Sequence, residues 1–194
     1  MSVDRKHKLH ETLVDSVEIS RGKLLVIRRD TVIGADGDEH VREVVAHRGG
    51  VAIVPLTDDG KVILIRQYRH AVGEVLLEIP AGTLDALEHG GVEDPETAAP
   101  RELAEEIGHT AGRWHKFGVF YTTPGFTSEA MHLYLARDLR PIEGYAGPEP
   151  DEDLEIEKMP VDDALRLAET GQVRDGKTLV GLFWLGRWLA ENEG

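Results

Sequence analysis

The stretch EDPETAAPRELAEEIG, Glu93 to Gly108, decides the reading of this chain. If it is helical, Glu102 and Glu106 stand four apart and project from one face, with Glu105 beside them. Arg101 and Glu105 are also four apart and can pair. Carboxylates this close repel by about 2–3 kcal/mol per neighbouring pair at an effective dielectric near 20 and roughly 6 Å. A divalent cation would reverse that sign, because hard cations such as Mg²⁺ take oxygen ligands. The plainer reading of such a charge run is a solvated acidic helix face. The spacing argues against it: E-x7-R-E-x-x-E-E-x-G arises by chance in a chain of this length only at roughly 10⁻⁵ to 10⁻⁴.

Composition narrows the function classes. The 194 residues fit one domain, or one domain with an extension, and carry a formal net charge of −14. That charge argues against non-specific nucleic-acid binding, which needs a basic patch. It leaves room for a phosphate-bearing ligand met by metal ions and a few arginines. With no cysteine in the chain, disulfides, thiolate metal sites and a cysteine nucleophile are excluded. MSVDRKHKLHE at the start has no apolar run, and no segment is apolar for 18 residues, so the expected setting is the cytoplasm with no membrane span.

The rest of the chain reads as short strands with few helices. VDSVEIS, KLLVIRRDTVI and HVREVVAHR predict antiparallel strands turned at Arg21-Gly22 and Gly34 to Gly37. VAIVPLT and KVILIRQYR, parted by Asp58-Asp59-Gly60, predict a hairpin of buried strands. Val75 to Gly82 (VLLEIPAG) predicts one further strand, stopped by Pro80 and Gly82. WHKFGVFY, AMHLYLA and LEIEKMP predict later strands; Val161–Thr170 and Asp175–Ala190 predict helices. The order suggests an α+β or three-layer α/β/α domain with a mixed sheet, following an N-terminal antiparallel β extension. The expected division is an N-terminal extension over residues 1–46 and a main domain over 47–194.

Glu93, Arg101, Glu102, Leu103, Glu105, Glu106 and Gly108 resemble the signature box of the Nudix hydrolases, G-x5-E-x7-R-E-U-x-E-E-x-G-U, where U is aliphatic. Three features depart from that pattern. Gly82 lies eleven residues before Glu93 instead of six, His109 replaces the last aliphatic residue, and Pro100 falls inside the expected helix. A helix interior proline can cost about 3 kcal/mol, so a helix start at Asp94-Pro95 with a bend before Arg101 is expected. LIRQYRH, LLEIPAG, TTPGFTSE and EPDEDLEIE resemble the ADP-ribose pyrophosphatase branch of the family.

The resemblance implies an α/β/α sandwich and Mg²⁺- or Mn²⁺-dependent hydrolysis of ADP-ribose to AMP and ribose 5-phosphate. It implies Glu102, Glu106 and Glu105 as metal ligands, completed by the backbone carbonyl of Ala81. Glu93 and Arg101 then orient the helix and its carboxylates. Arg69 is the implied diphosphate contact and Arg42 a second substrate arginine; read alone, Arg66 and Arg69 are edge-strand gatekeepers. Glu129 is placed near the ribose or the attacking water. Glu152, or Asp153 one position on, is the expected general base. A homodimer exchanging its N-terminal strands is also implied. Two alternatives remain: another nucleotide sugar such as GDP-mannose or ADP-glucose, and a catalytically silent nucleotide-binding module. The histidines show no H-x-x-x-H or H-E-x-x-H spacing and read as surface or packing residues.

Overall fold

Alternating apolar and polar residues from Thr12 onward give three strands, β1 (Thr12–Arg21), β2 (Val26–Ile33) and β3 (Glu39–Ala46). The coordinates, a computed structural model, describe residues 9–148 and 153–192. The three strands form an antiparallel sheet in the order β1-β2-β3, as expected. Its turns close at Gly22, whose N–H donates to Leu25 O at 2.9 Å, and at Gly37, whose N–H donates to Gly34 O at 3.1 Å. The segment Thr123–Glu129 belongs to the same compact unit. Val45 N–H donates to Phe126 O at 2.8 Å and Ser128 N–H to Val45 O at 3.2 Å.

The second unit, Gly49–Thr122 with Ala130 onward, holds two sheets. β4 (Gly50–Pro55), β7 (Ala81–Thr83), β8 (His109–Tyr121) and β9 (Ala130–Pro141) form one in the order β7-β4-β9-β8. It is mixed, since β4 runs parallel to β9 and antiparallel to β7. β5 (Lys61–Arg69), β6 (Glu74–Glu78) and β10 (Leu154–Pro160) form the other, in the order β10-β5-β6. The helices are α1 (Pro95–Ile107), α2 (Val161–Glu169) and α3 (Gly176–Asn192).

The period of two along β4 and β5 sorts their side chains between two cores. Val51, Ile53, Ile63 and Ile65 pack with Ala98, Ala99, Leu103 and Ile107 of α1. Ala52, Val54, Val62 and Leu64 pack with Ala164 of α2 and Leu182 and Leu185 of α3. Strands covered on both faces read as unbroken apolar runs, which is why every residue of β4 is buried. The unit is a three-layer α/β/α arrangement, and the chain is α+β.

Two expected pairings differ. The Thr57–Lys61 turn forms, with Thr57 N–H on Lys61 O at 2.9 Å, but its hairpin ends after the Leu56–Val62 bridge. β4 already has β7 and β9 as neighbours and β5 has β6 and β10, so the two strands part into different sheets. VLLEIPAG is likewise two strands. Pro80, which has no N–H to donate, ends the run of β6, while its carbonyl accepts from Ile53 N–H at 2.8 Å and leads into β7.

α1 starts where the capping signal places it. Asp94 is the N-cap, its side chain accepting from Glu96 N–H at 2.9 Å, and Pro95 fills the first helical position. Pro100 sits inside a helix that runs without interruption from Pro95 to Ile107. The five extra residues before Glu93 fold into a small hairpin, bridged at Ala86–Val92 and turned through Gly90 and Gly91 at φ 87° and 90°. It returns Glu93 beside Asp85, with Glu93 N–H on Asp85 O at 2.8 Å.

Leu103 is fully buried at the centre of the α1-side core. Leu103→Ala is expected to cost about 2–5 kcal/mol, measured by urea unfolding, with the α1 carboxylates themselves untouched.

Candidate active site

The carboxylates of α1 gather around one guanidinium. Arg101 Nη2 lies 2.8 Å from Glu93 Oε2, and its Nη1 lies 2.8 Å from Glu102 Oε1 and 2.7 Å from Glu105 Oε2. Asp85, delivered by the loop hairpin, stands 3.8 Å away. The hydrogen bonds that Arg101 donates to Glu93, with the charges of Glu102 and Glu105, hold its guanidinium further into the charged form despite partial burial. The same bonds hold the Glu93 carboxyl below the usual glutamate range. Repulsion between neighbouring carboxylates is thus answered first within the chain, by Arg101.

Glu102 and Glu106 are buried, 6% and 2% exposed, on the face of α1 turned to β7. Glu106 Oε2 accepts from the Ala81 backbone N–H at 2.9 Å. Glu102 lies flat against Gly82, where a Cβ would stand 1.9 Å from its Cδ and 2.0 Å from Oε1. That explains the glycine: only a bare Cα lets a buried carboxylate lie this close to the strand.

The C-terminal end of α1 is fastened by a residue with no signal beyond being a tyrosine in a Gly- and acid-rich loop. The Tyr145 hydroxyl lies 2.8 Å from the carbonyl oxygens of Glu105 and Glu106 and donates to them. Its ring covers Gly108, the left-handed cap at φ 63°. His109 Nδ1 lies 2.6 Å from Ile107 O, so the imidazole serves the helix end where the pattern has an aliphatic residue.

A second charged group supports the strand leading to Ala81. Glu78, fully buried, receives the Arg69 fork through Nε at 2.8 Å and Nη2 at 2.7 Å, and is paired with Lys177. Burial alone would raise the Glu78 carboxyl, but the Arg69 bond and the Lys177 charge outweigh it and hold the group below the usual range. Thr178 Oγ1 accepts from Ile79 N–H at 2.8 Å and donates to Asp175 Oδ2 at 2.5 Å, tying the start of α3 to the same segment. Glu78 and Lys177 are 99 residues apart, a pairing no local pattern announces.

A NUDIX domain model matches residues 46–180. The chain belongs to the Nudix family. Among its relatives is an ADP-ribose pyrophosphatase of Bacillus subtilis (strain 168), 38% identical over 177 residues, covering 91% of this chain and 93% of that one. A GDP-mannose pyrophosphatase of Salmonella arizonae is 34% identical over 155 residues, covering 75% and 78%. A crystal structure described as an ADP compounds hydrolase superposes with a TM-score of 0.78 at 25% identity, over 93% of this chain and 95% of that one.

Around the Nudix box, the donor set suits a hard divalent cation: two buried carboxylates, Glu102 and Glu106, with Glu105 on the same helix. Among the described residues no three side chains already converge as metal ligands, since Glu102 and Glu105 rest on Arg101 and Glu106 on Ala81 N–H. Of the other expected site residues, Arg42 on β3 and Glu129 belong to the smaller unit. Arg42 pairs with Glu11, and Glu129 Oε1 lies 3.5 Å from His47 Nδ1. Asp153 is exposed just ahead of β10, and Glu152 lies outside the described residues.

Gly82→Ala must push Glu102 from its place. The variant is expected to lose at least about tenfold in catalytic rate while its far-ultraviolet circular dichroism stays as in the parent chain.

Proposed function

We propose that the chain hydrolyses the diphosphate bond of ADP-ribose to AMP and ribose 5-phosphate. The observation that carries this is the buried Glu102–Glu106 pair against Ala81 and Gly82, with Arg101 clamping the box carboxylates. Similarity to an ADP-ribose pyrophosphatase over nine-tenths of the chain supports the choice of substrate. Mg²⁺, with Mn²⁺ as its substitute, would be held by Glu102, Glu106 and Glu105 together with the Ala81 carbonyl. When bound, such an ion neutralises diphosphate charge and acidifies a water.

The chain's own residues supply the rest. Arg101 and Glu93 keep the box carboxylates aimed, a positioning role. Arg69 is anchored through Nε and Nη2 on Glu78 and offers its remaining N–H groups to a phosphate oxygen. Arg42 and Glu129 are assigned to substrate, Glu129 toward the ribose or the water. A loop carboxylate, Glu152 or Asp153, takes the proton of the attacking water. One phosphoanhydride P–O bond breaks as the water oxygen joins phosphorus.

The assembly we favour is a homodimer through the N-terminal strands. Leu13, Val17, Ile19, Ile27 and Val41 of that sheet are between 41% and 59% exposed, an apolar surface a lone chain leaves in water. The net charge of −14 goes with a small-molecule substrate and against nucleic acid. Among the described residues no helix is long and apolar enough to cross a membrane, and we place the protein in the cytoplasm. A second reading, GDP-mannose as substrate, has the Salmonella arizonae relative in its favour.

The test is release of AMP or GMP from ADP-ribose, ADP-glucose and GDP-mannose in Mg²⁺. ADP-ribose is expected to turn over fastest, with activity lost to a chelator and restored by excess Mg²⁺. Glu102→Gln and Glu106→Gln should each lose at least about a hundredfold with the fold retained. Full activity in both variants would sink the assignment, and no turnover of any substrate would favour a silent binding module.

A further inference from the structure

α1 crosses the four-stranded sheet, packing on β7 at one edge and on β8 at the other. Its Glu102 and Glu106 serve the β7 edge. At the β8 edge lies a groove of ≈ 300 Å³ lined by Glu96 and Ala99 of α1, Trp114 and Lys116 of β8, and Tyr134 of β9. That volume is at the lower end for small-molecule sites, enough for one ring system and its sugar.

The groove has an aromatic wall with polar groups left to serve. Trp114 and Tyr134 meet edge to face, centroids 6.3 Å apart at 83°. The Tyr134 hydroxyl is buried and has no hydrogen-bond partner among the described residues. Buried hydroxyls are otherwise almost always paired. Two residues along the same face of β9, the buried His132 Nδ1 is also unpartnered among the described residues. Burial pushes the Tyr134 phenol up, aided by Glu96 and Asp94, so it stays an O–H donor at neutral pH.

Lys116, opposite Tyr134 in the β8–β9 register, carries its ammonium 5.8 Å from the Tyr134 ring centre. Glu96, exposed on α1, adds a carboxylate, so one positive and one negative group flank the aromatic wall. An anionic ligand would meet Glu96 and the neighbouring Asp94, and a cationic one would meet Lys116. The fitting ligand is planar and uncharged, with acceptors for Tyr134 and Lys116 and a donor for Glu96.

We propose that this groove is a nucleoside-binding site separate from the box carboxylates. It takes a purine or pyrimidine ring against Trp114, a ring acceptor on the Tyr134 hydroxyl and the ring's polar edge between Lys116 and Glu96. It does not depend on which diphosphate the box hydrolyses.

The experiment is calorimetric titration of the full chain with adenosine, guanosine and cytidine, in parallel with three single variants. At least one nucleoside should bind saturably with Kd on the order of 0.1 mM. Binding should persist in Glu102→Gln and weaken about three- to tenfold in Tyr134→Phe and in Lys116→Met. Tyr134→Phe should melt no lower than the parent chain, because its hydroxyl has no partner to lose. The proposal is overturned if no nucleoside binds, or if Glu102→Gln abolishes binding. It is equally overturned if Tyr134→Phe and Lys116→Met bind like the parent, or if Tyr134→Phe lowers the melting temperature.

Discussion

Arg101 is the constraint on which the arrangement of the box depends. Its guanidinium meets Glu93, Glu102 and Glu105 within 2.8 Å, and removing it would leave those carboxylates, one of them buried, to repel. A carboxylate 6% exposed, as Glu102 is, tolerates its charge only with a partner. Glu106 solves the same problem with the Ala81 N–H. The Glu106 bond needs β7 pressed against α1, and Gly82 is what lets Glu102 lie against that strand. One small residue, one arginine and one strand N–H therefore set the carboxylate geometry.

The supports of that strand are remote in sequence. Glu78 is held by Arg69 and Lys177, and Ile79 by Thr178, so the start of α3 anchors the segment that delivers Ala81 and Gly82. The end of α1 depends in turn on Tyr145 from the loop after β9. The result is a helix fixed at both ends and on the β7 side, with a groove remaining on its β8 side.

Much of this was legible from residue patterns, and the limits are physical. Period-two alternation placed the strands, and the Asp94-Pro95 start of α1 followed from capping chemistry. The Nudix box named the carboxylates because their spacing is local. Sheet membership was not legible: the Asp58-Asp59-Gly60 turn looks the same whether or not its strands stay paired, and β4 and β5 are claimed by other neighbours. IPAG predicts a strand end, whereas Pro80 passes the chain from one sheet to the other. The long loop before Glu93 gave no sign that Gly90 and Gly91 would turn it into a hairpin. Pairs such as Glu78 with Lys177 leave no local trace at all.

Glu102 and Glu106 are the residues we propose as ligands for a divalent cation. Titration of the protein with Mn²⁺, followed by electron paramagnetic resonance of the free ion, tests that assignment without any substrate. Saturable binding in the parent chain that weakens about ten- to a hundredfold or more in Glu102→Gln and Glu106→Gln is the predicted result. Equal binding in the parent and both variants would contradict it.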